Sequence, residues 1–129
     1  AGDLFQLDDA SSIPVWLQLK NRFIYLITSG FYLPGDQLPP VRGLAAEVEV
    51  NYNTVSKVYV NLESDGYVES VRGRGVFVRD IGGKADDVRS IADTEIEGCI
   101  RRCLALGMTI DEVTLRMMDV THRLKDEKS

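Results

Sequence analysis

Between Val41 and Val78 the hydrophobic pattern changes period within a few residues, and that succession admits few folds. VRGLAAEV sets Val41, Leu44, Ala45 and Val48 on one helical face, and only Glu49, Val50 and Asn51 separate it from a second stripe of Val55, Val58, Tyr59 and Leu62. Pro39 and Pro40 keep the first of these helices from starting earlier. Asn51 is a favourable N-cap for the second, and Gly66 stops it. YVESV and VFVR then read as strands, rich in β-branched and aromatic residues, and the turn residues RGRG between them make a hairpin with an arginine-bearing tip.

An earlier stripe precedes this block. Residues 15–29, VWLQLKNRFIYLITS, carry Trp16, Leu19, Phe23, Leu26 and Ile27 at spacings of three and four, with Pro14 at the first turn and Gly30 at the end. Helix, helix, turn, helix and hairpin in about 65 residues is the order of a winged helix-turn-helix, which offers its third helix to a DNA major groove with the hairpin beside it. Trp16, Phe23, Tyr59 and Tyr67 fall among aliphatics at helical or strand spacing and are expected in the core.

After Asp80 the segment IGGKADD reads as a linker. Val88, Ile91, Ala92, Ile96, Cys99, Ile100 and Cys103 then form one helical stripe ending at Gly107. Ile110, Val113, Met117, Val120 and Leu124 form another, opened by a Thr109–Glu112 capping box. A tight Gly-Met-Thr turn should set the two helices antiparallel. Such a pair cannot cover both apolar faces alone, so the tail is expected to dock, preferably on a second copy, with Met117 and Met118 filling the interface. The fold class is therefore mainly α with a small β-hairpin: a winged domain over residues 1–80 and an α-helical hairpin over 81–129.

With 129 residues, 44% of them hydrophobic and 27% charged, the chain suits one globular domain and a small appendage. Charges interrupt every apolar run well before the roughly 18 to 20 residues that a membrane crossing needs. Ala1–Asp9 is acidic, without a basic region followed by an apolar core, so no secretory signal is expected and the cytoplasm is the expected compartment. Cys99 and Cys103 read as small buried thiols of a reducing compartment, and His122, the only histidine, completes no metal set with them. No glycine-rich phosphate cradle, nucleophile elbow or paired-histidine motif occurs, which excludes the common enzyme classes, and no cofactor is expected. The net charge of −5 argues against nucleic acid, but its distribution does not: Ser70–Arg79 holds Arg72, Arg74 and Arg79 with no acid. The acidic total suits a second reading, a winged-helix protein-interaction module without a DNA role.

PGDQLP, VRGLA, NTV at a helix start, LESDGYV and GRGVFV, in this order and spacing over roughly residues 10–79, resemble the N-terminal winged-helix domain of the GntR family of bacterial transcriptional regulators. The short tail resembles the YtrA-like subgroup, in which two helices serve dimerisation. The resemblance implies a dimeric regulator, in function a repressor, whose partner is a double-stranded DNA operator. It leaves a small-molecule effector open, because no residue set in the sequence declares a pocket for one.

Carried across position by position, the resemblance directs Arg42 at the DNA backbone or a guanine. The helical period turns Tyr52, Asn53, Thr54, Ser56 and Lys57 outward. The resemblance sets Asn53 and Thr54 at the opening of the recognition helix and Arg72 and Gly73 at a wing tip reaching toward the minor groove, with Arg74 beside them. The residue chemistry agrees: arginine offers a planar fork to phosphate or guanine, asparagine pairs with adenine, and a helix N-terminus attracts phosphate. Three departures stand out. Tyr52 and Ser56 occupy positions that are often basic in relatives. Pro40 and Gly43 replace a Ser-x-x-Glu capping box, and Gly43 costs about 1 kcal/mol against Ala within a helix. Glu49 replaces a common glycine, so its turn must avoid a positive φ or carry strain.

Overall fold

The computed structural model describes residues 4–82 and 84–127, and among them the chain forms five helices and one hairpin. In order these are α1 (Val15–Thr28), α2 (Val41–Val48), α3 (Tyr52–Ser64), β1 (Val68–Val71), β2 (Gly75–Val78), α4 (Lys84–Ala105) and α5 (Ile110–Glu127). The class is the expected one, mainly helical with a two-stranded antiparallel wing. Two compact units result, Ala1–Arg89 and Ser90–Ser129.

In the first unit the apolar stripes meet in one core. Leu19, Phe23, Leu26 and Ile27 of α1, Leu44 and Ala45 of α2, and Val55, Val58, Tyr59 and Leu62 of α3 are all buried. Each large side chain so buried contributes about 1.5–3 kcal/mol. Phe23 is the hub: Phe5 packs on it with ring centroids 4.9 Å apart, and Tyr59 meets it edge-on at 5.4 Å. Lys20 and Asp65 pair at 2.8 Å and tie α1 to the end of α3.

Short connections hold the helices in register. Pro40 caps α2 without a side-chain hydrogen bond, as the missing capping box implied. Glu49 ends α2 in the left-handed conformation, φ 57° and ψ 44°, so that its N–H and that of Val50 both return to the Ala45 carbonyl. Strain at Glu49 is thus the outcome of the two that its sequence position allowed. Asn51 caps α3 as expected, its Oδ1 accepting from the Asn53 N–H at 2.8 Å.

The wing pairs Val68 with Val78 and Val71 with Gly75, leaving Arg72, Gly73 and Arg74 as the turn. Gly73 sits at φ 77° and Gly75 at φ 126°, and a Cβ on Gly75 would collide with the Gln37 side-chain amide. On its other edge β2 meets the segment before α2. Leu38 N–H donates to Val76 O, and Val78 N–H to Asp36 O, both at 2.8 Å. A third extended stretch therefore braces the wing against the α2 entry.

Three sequence expectations need correction. Trp16 was expected in the core but is 43% exposed: one turn before Leu19 the stripe continues through half-buried Val15 instead. The expected linker IGGKADD is helical from Lys84, since neither proline nor glycine follows Gly83 before Gly98. Cys99 and Cys103, expected as buried thiols, are free and only half-buried in the single chain.

The second unit is differently built. Thr109 and Glu112 form the expected reciprocal capping box: Thr109 N–H donates to Glu112 Oε1 at 2.9 Å, and Glu112 N–H to Thr109 Oγ1 at 3.2 Å. These bonds hold the Glu112 carboxyl below the usual carboxylate range. Packing is sparse. Among the described residues of this unit Val113 is the one buried side chain, while Ile91, Ile96, Ile110 and Leu124 of the expected stripes are exposed. Ile100, Leu104, Met117 and Val120 are half-buried, so cover in this unit is partial. Val88, assigned to the first stripe, has a side chain outside the described residues.

Candidate nucleic-acid interface

The candidate residues sit on three supports, each fixed by the core behind it. Arg42 is the second residue of α2, exposed, while Leu44 and Ala45 on the other face are buried. Its guanidinium carbon lies over the Tyr52 ring, 5.6 Å from the centroid. Asp36, exposed ahead of α2, is engaged locally, its Oδ2 accepting from Leu33 N–H at 2.8 Å. Among the described residues Arg42 forms an ion pair with neither Asp36 nor Glu47.

The α3 support begins at Tyr52, 48% exposed, and Asn53 follows it, also exposed. Asn51 occupies the Asn53 N–H with its side chain and the Thr54 N–H with its carbonyl, at 3.0 Å, so this helix start is already capped from within. The Asn53 side chain remains on the exposed surface, whereas Thr54 and Ser56 are half-buried and Lys57 is exposed. Val55 and Val58, fully buried between these positions, fix the rotation of α3 and so decide which residues face out.

The third support is the wing turn. Arg72, Gly73 and Arg74 are all exposed there. Arg74 N–H closes the turn onto Val71 O at 2.9 Å, and its carbonyl accepts from Gln37 Nε2 at 3.0 Å. An open cleft of about 490 Å³ separates this turn from the start of α2, with Pro39, Pro40, Val41 and Tyr59 on one wall and Ser70–Val76 on the other. Tyr59 braces it: its hydroxyl donates to Pro39 O at 2.6 Å, and burial pushes the phenol above its usual range, which keeps the proton in place. Glu63, the acid closest to β1 on α3, is occupied by Ser70, whose N–H donates to Oε2 at 2.7 Å.

The structure thus joins Arg42 to Tyr52 directly and sets the wing arginines across one cleft from the α2 start. It leaves Ser56 and Lys57 a turn further along α3. Two contributors were missed in the sequence. Gln37 holds the wing turn, and its only signal was its place in PGDQLPP beside a glycine-rich hairpin. Phe5 fills the core behind α1, and no periodicity announces a lone aromatic ahead of a helix. Chemically the surface offers three guanidinium forks and one carboxamide, the groups that read phosphates and base edges. Among the described residues no group of His, Cys, Asp and Glu could hold a metal ion, and no helix is long and apolar enough to cross a membrane.

Comparison with known proteins agrees with this geometry. Residues 17–78 match the gntR family of bacterial regulatory proteins. The HTH-type transcriptional regulator YhcF of Bacillus subtilis is 35% identical over 104 residues, covering 80% of this chain and 86% of that protein. The HTH-type transcriptional repressor YtrA of the same organism is 43% identical over 75 residues, 58% of either chain. Among solved structures, YtrA from Sulfolobus acidocaldarius, a GntR-family transcription factor, superposes with a TM-score of 0.57 at 31% identity, covering 73% of this chain and 98% of that one. A winged helix-turn-helix core, arginines at the α2 start and the wing turn, and relatives matched over most of their length have one common reading: the chain belongs to the gntR family of DNA-binding transcriptional regulators, and it is not an enzyme.

Proposed function

We propose that the chain is a dimeric, sequence-specific repressor acting in the cytoplasm. In this reading residues 1–80 bind a double-stranded operator and residues 81–129 pair two copies. The observation that carries it is the exposure of Arg42, Asn53, Arg72 and Arg74 on supports rigidly fixed by one core. Arg42, Arg72, Arg74 and Lys57 supply charge to phosphates, while Asn53, with Tyr52, Thr54, Ser56 and Gly73, lines the surface that approaches bases and groove walls. The YtrA relative, named a repressor, supports the sign of regulation.

The tail supports dimerisation: its exposed isoleucines, leucines and methionines form more apolar surface than two helices can cover between them. Two copies related by a two-fold axis would read a palindrome with half-site centres about one helical turn, or 34 Å, apart.

Fluorescence anisotropy with duplexes from the promoter upstream of the chain's own gene tests the reading. Alanine at Arg42, or at Arg72 and Arg74 together, should weaken binding and flatten the slope of log K against log salt by about 0.9 for each phosphate that is no longer neutralised. Folded variants with unchanged affinity and unchanged slope would reject the surface. Full retention of promoter binding by a scrambled duplex would reject sequence specificity.

A further inference from the structure

Arg42 and Tyr52 are ten residues apart, on different helices, with the strained Glu49 turn between them. Their side chains are nonetheless the one cation–aromatic pair on the candidate interface among the described residues, with Arg42 Cζ 5.6 Å from the Tyr52 centroid. Resting on the DNA-binding reading above, we propose that Tyr52 is a positioning residue for Arg42: its ring holds the guanidinium at the start of α3, in the orientation in which it meets DNA.

The negative face of an aromatic ring attracts a cation, and the planar guanidinium stacks well on it. With Arg42 Cζ over the ring at 5.6 Å, the contact uses none of the five guanidinium N–H donors, and those donors are what fork onto a phosphate or onto guanine O6 and N7. Finally, a free arginine loses rotamer freedom when it binds, and an arginine already held loses less. Tyr52 suits this task because its own backbone is fixed: it is the first residue of α3, next to the Asn51 cap, and Val55 on the following turn is fully buried. Arg42 is fixed equally well by Leu44 and Ala45. Neither backbone needs to move for the contact to persist on DNA. The ring, not the phenol hydroxyl, is the working part.

A double-mutant cycle on the full chain tests this, using a duplex of about 30 base pairs, long enough for two half-sites, selected by the wild-type protein from a random-sequence pool. Both residues are exposed, so Tyr52→Ala, Tyr52→Phe, Arg42→Ala and the double alanine variant should all fold, and circular dichroism checks it. Tyr52→Ala should weaken binding about 2- to 5-fold per half-site, the range expected of an exposed cation–π contact. It should also lower the salt slope, which a merely structural change would not. Tyr52→Phe should restore both. In the Arg42→Ala background Tyr52→Ala should cost nothing further. Equal costs in the two backgrounds would overturn the positioning role alone, as would a Tyr52→Phe loss matching that of Tyr52→Ala, which would make the hydroxyl a direct contact. If Arg42→Ala keeps wild-type affinity, both this proposal and the assignment of Arg42 to the DNA surface fall.

Discussion

The two units of this chain treat apolar surface in opposite ways. In Ala1–Arg89 the stripes of α1, α2 and α3 close on one another, and Leu19, Phe23, Val55, Val58, Leu62 and Val68 are wholly buried. In Ser90–Ser129 the stripes are as regular in sequence, yet Ile91, Ile96, Ile110 and Leu124 remain on the surface, Ile100, Met117 and Val120 are half-buried, and one side chain, Val113, is buried among the described residues. The contrast teaches that periodicity specifies which face is apolar but not what covers it. Three helices and a wing supply mutual cover, and two long helices do not. The winged unit can therefore hold its candidate residues still by itself, while the tail leaves apolar surface uncovered among the described residues.

The largest expected effect attacks the closed side of this contrast. Phe23→Ala removes the ring that Phe5 and Tyr59 pack against and should destabilise the winged unit by about 3–5 kcal/mol, read as a shift in chemical denaturation. A loss below about 1 kcal/mol would mean that the core is less tightly interlocked than its burial indicates.

The open side is attacked by charge. Ile96→Glu places a carboxylate on the exposed tail surface, so it should leave the helical circular dichroism of the chain nearly intact. It should raise the dimer dissociation constant at least about 100-fold, because two-fold symmetry presents the change twice. Sedimentation velocity over a concentration series checks it, and an unaltered dimer would remove Ile96 from the interface.

A smaller effect, of opposite sign, sits inside the well-packed unit. Glu49 is the one non-glycine residue at positive φ among those described. Glu49→Gly should raise stability by about 0.5–1 kcal/mol, as the relief of left-handed strain exceeds the added freedom of the unfolded chain. Thermal unfolding of the two proteins in parallel would show it. A less stable glycine variant would mean that the Glu49 side chain has stabilising contacts of its own.

The smallest effect is local to the tail. Because hydrogen bonds from Thr109 lower the Glu112 pKa, this cap contributes stability above the ordinary carboxylate pKa and loses it as pH falls through the lowered value. Amide exchange at Thr109 should accelerate in that acid window, and Glu112→Gln, which cannot ionise, should remove the pH dependence.

How far the sequence carried depended on the range of the interaction. The α3 stripe and its Asn51 cap, the RGRG turn and the Thr109–Glu112 box are set by residues within four positions of one another, and each was legible. Phe5 on Phe23, Gln37 on the Arg74 carbonyl and Tyr52 on Arg42 span ten or more positions, and no spacing rule reports them. Trp16 shows a subtler limit: it satisfied the helical period, but half-buried Val15 shared the same turn and took the inward side. Glu49 was legible only as a choice between two backbone conformations, and packing of α2 on α3 decided it.

The measurement that bears most directly on the contrast between the units is light scattering on the full chain beside a truncated chain of residues 1–89, with each then titrated against the same promoter duplex. The account predicts a full chain of twice the single-chain mass at micromolar concentration. It predicts a truncated form that stays folded and monomeric and binds the duplex much more weakly, since one winged unit grips a single half-site. A monomeric full chain, or a truncated form that still dimerises, would contradict it.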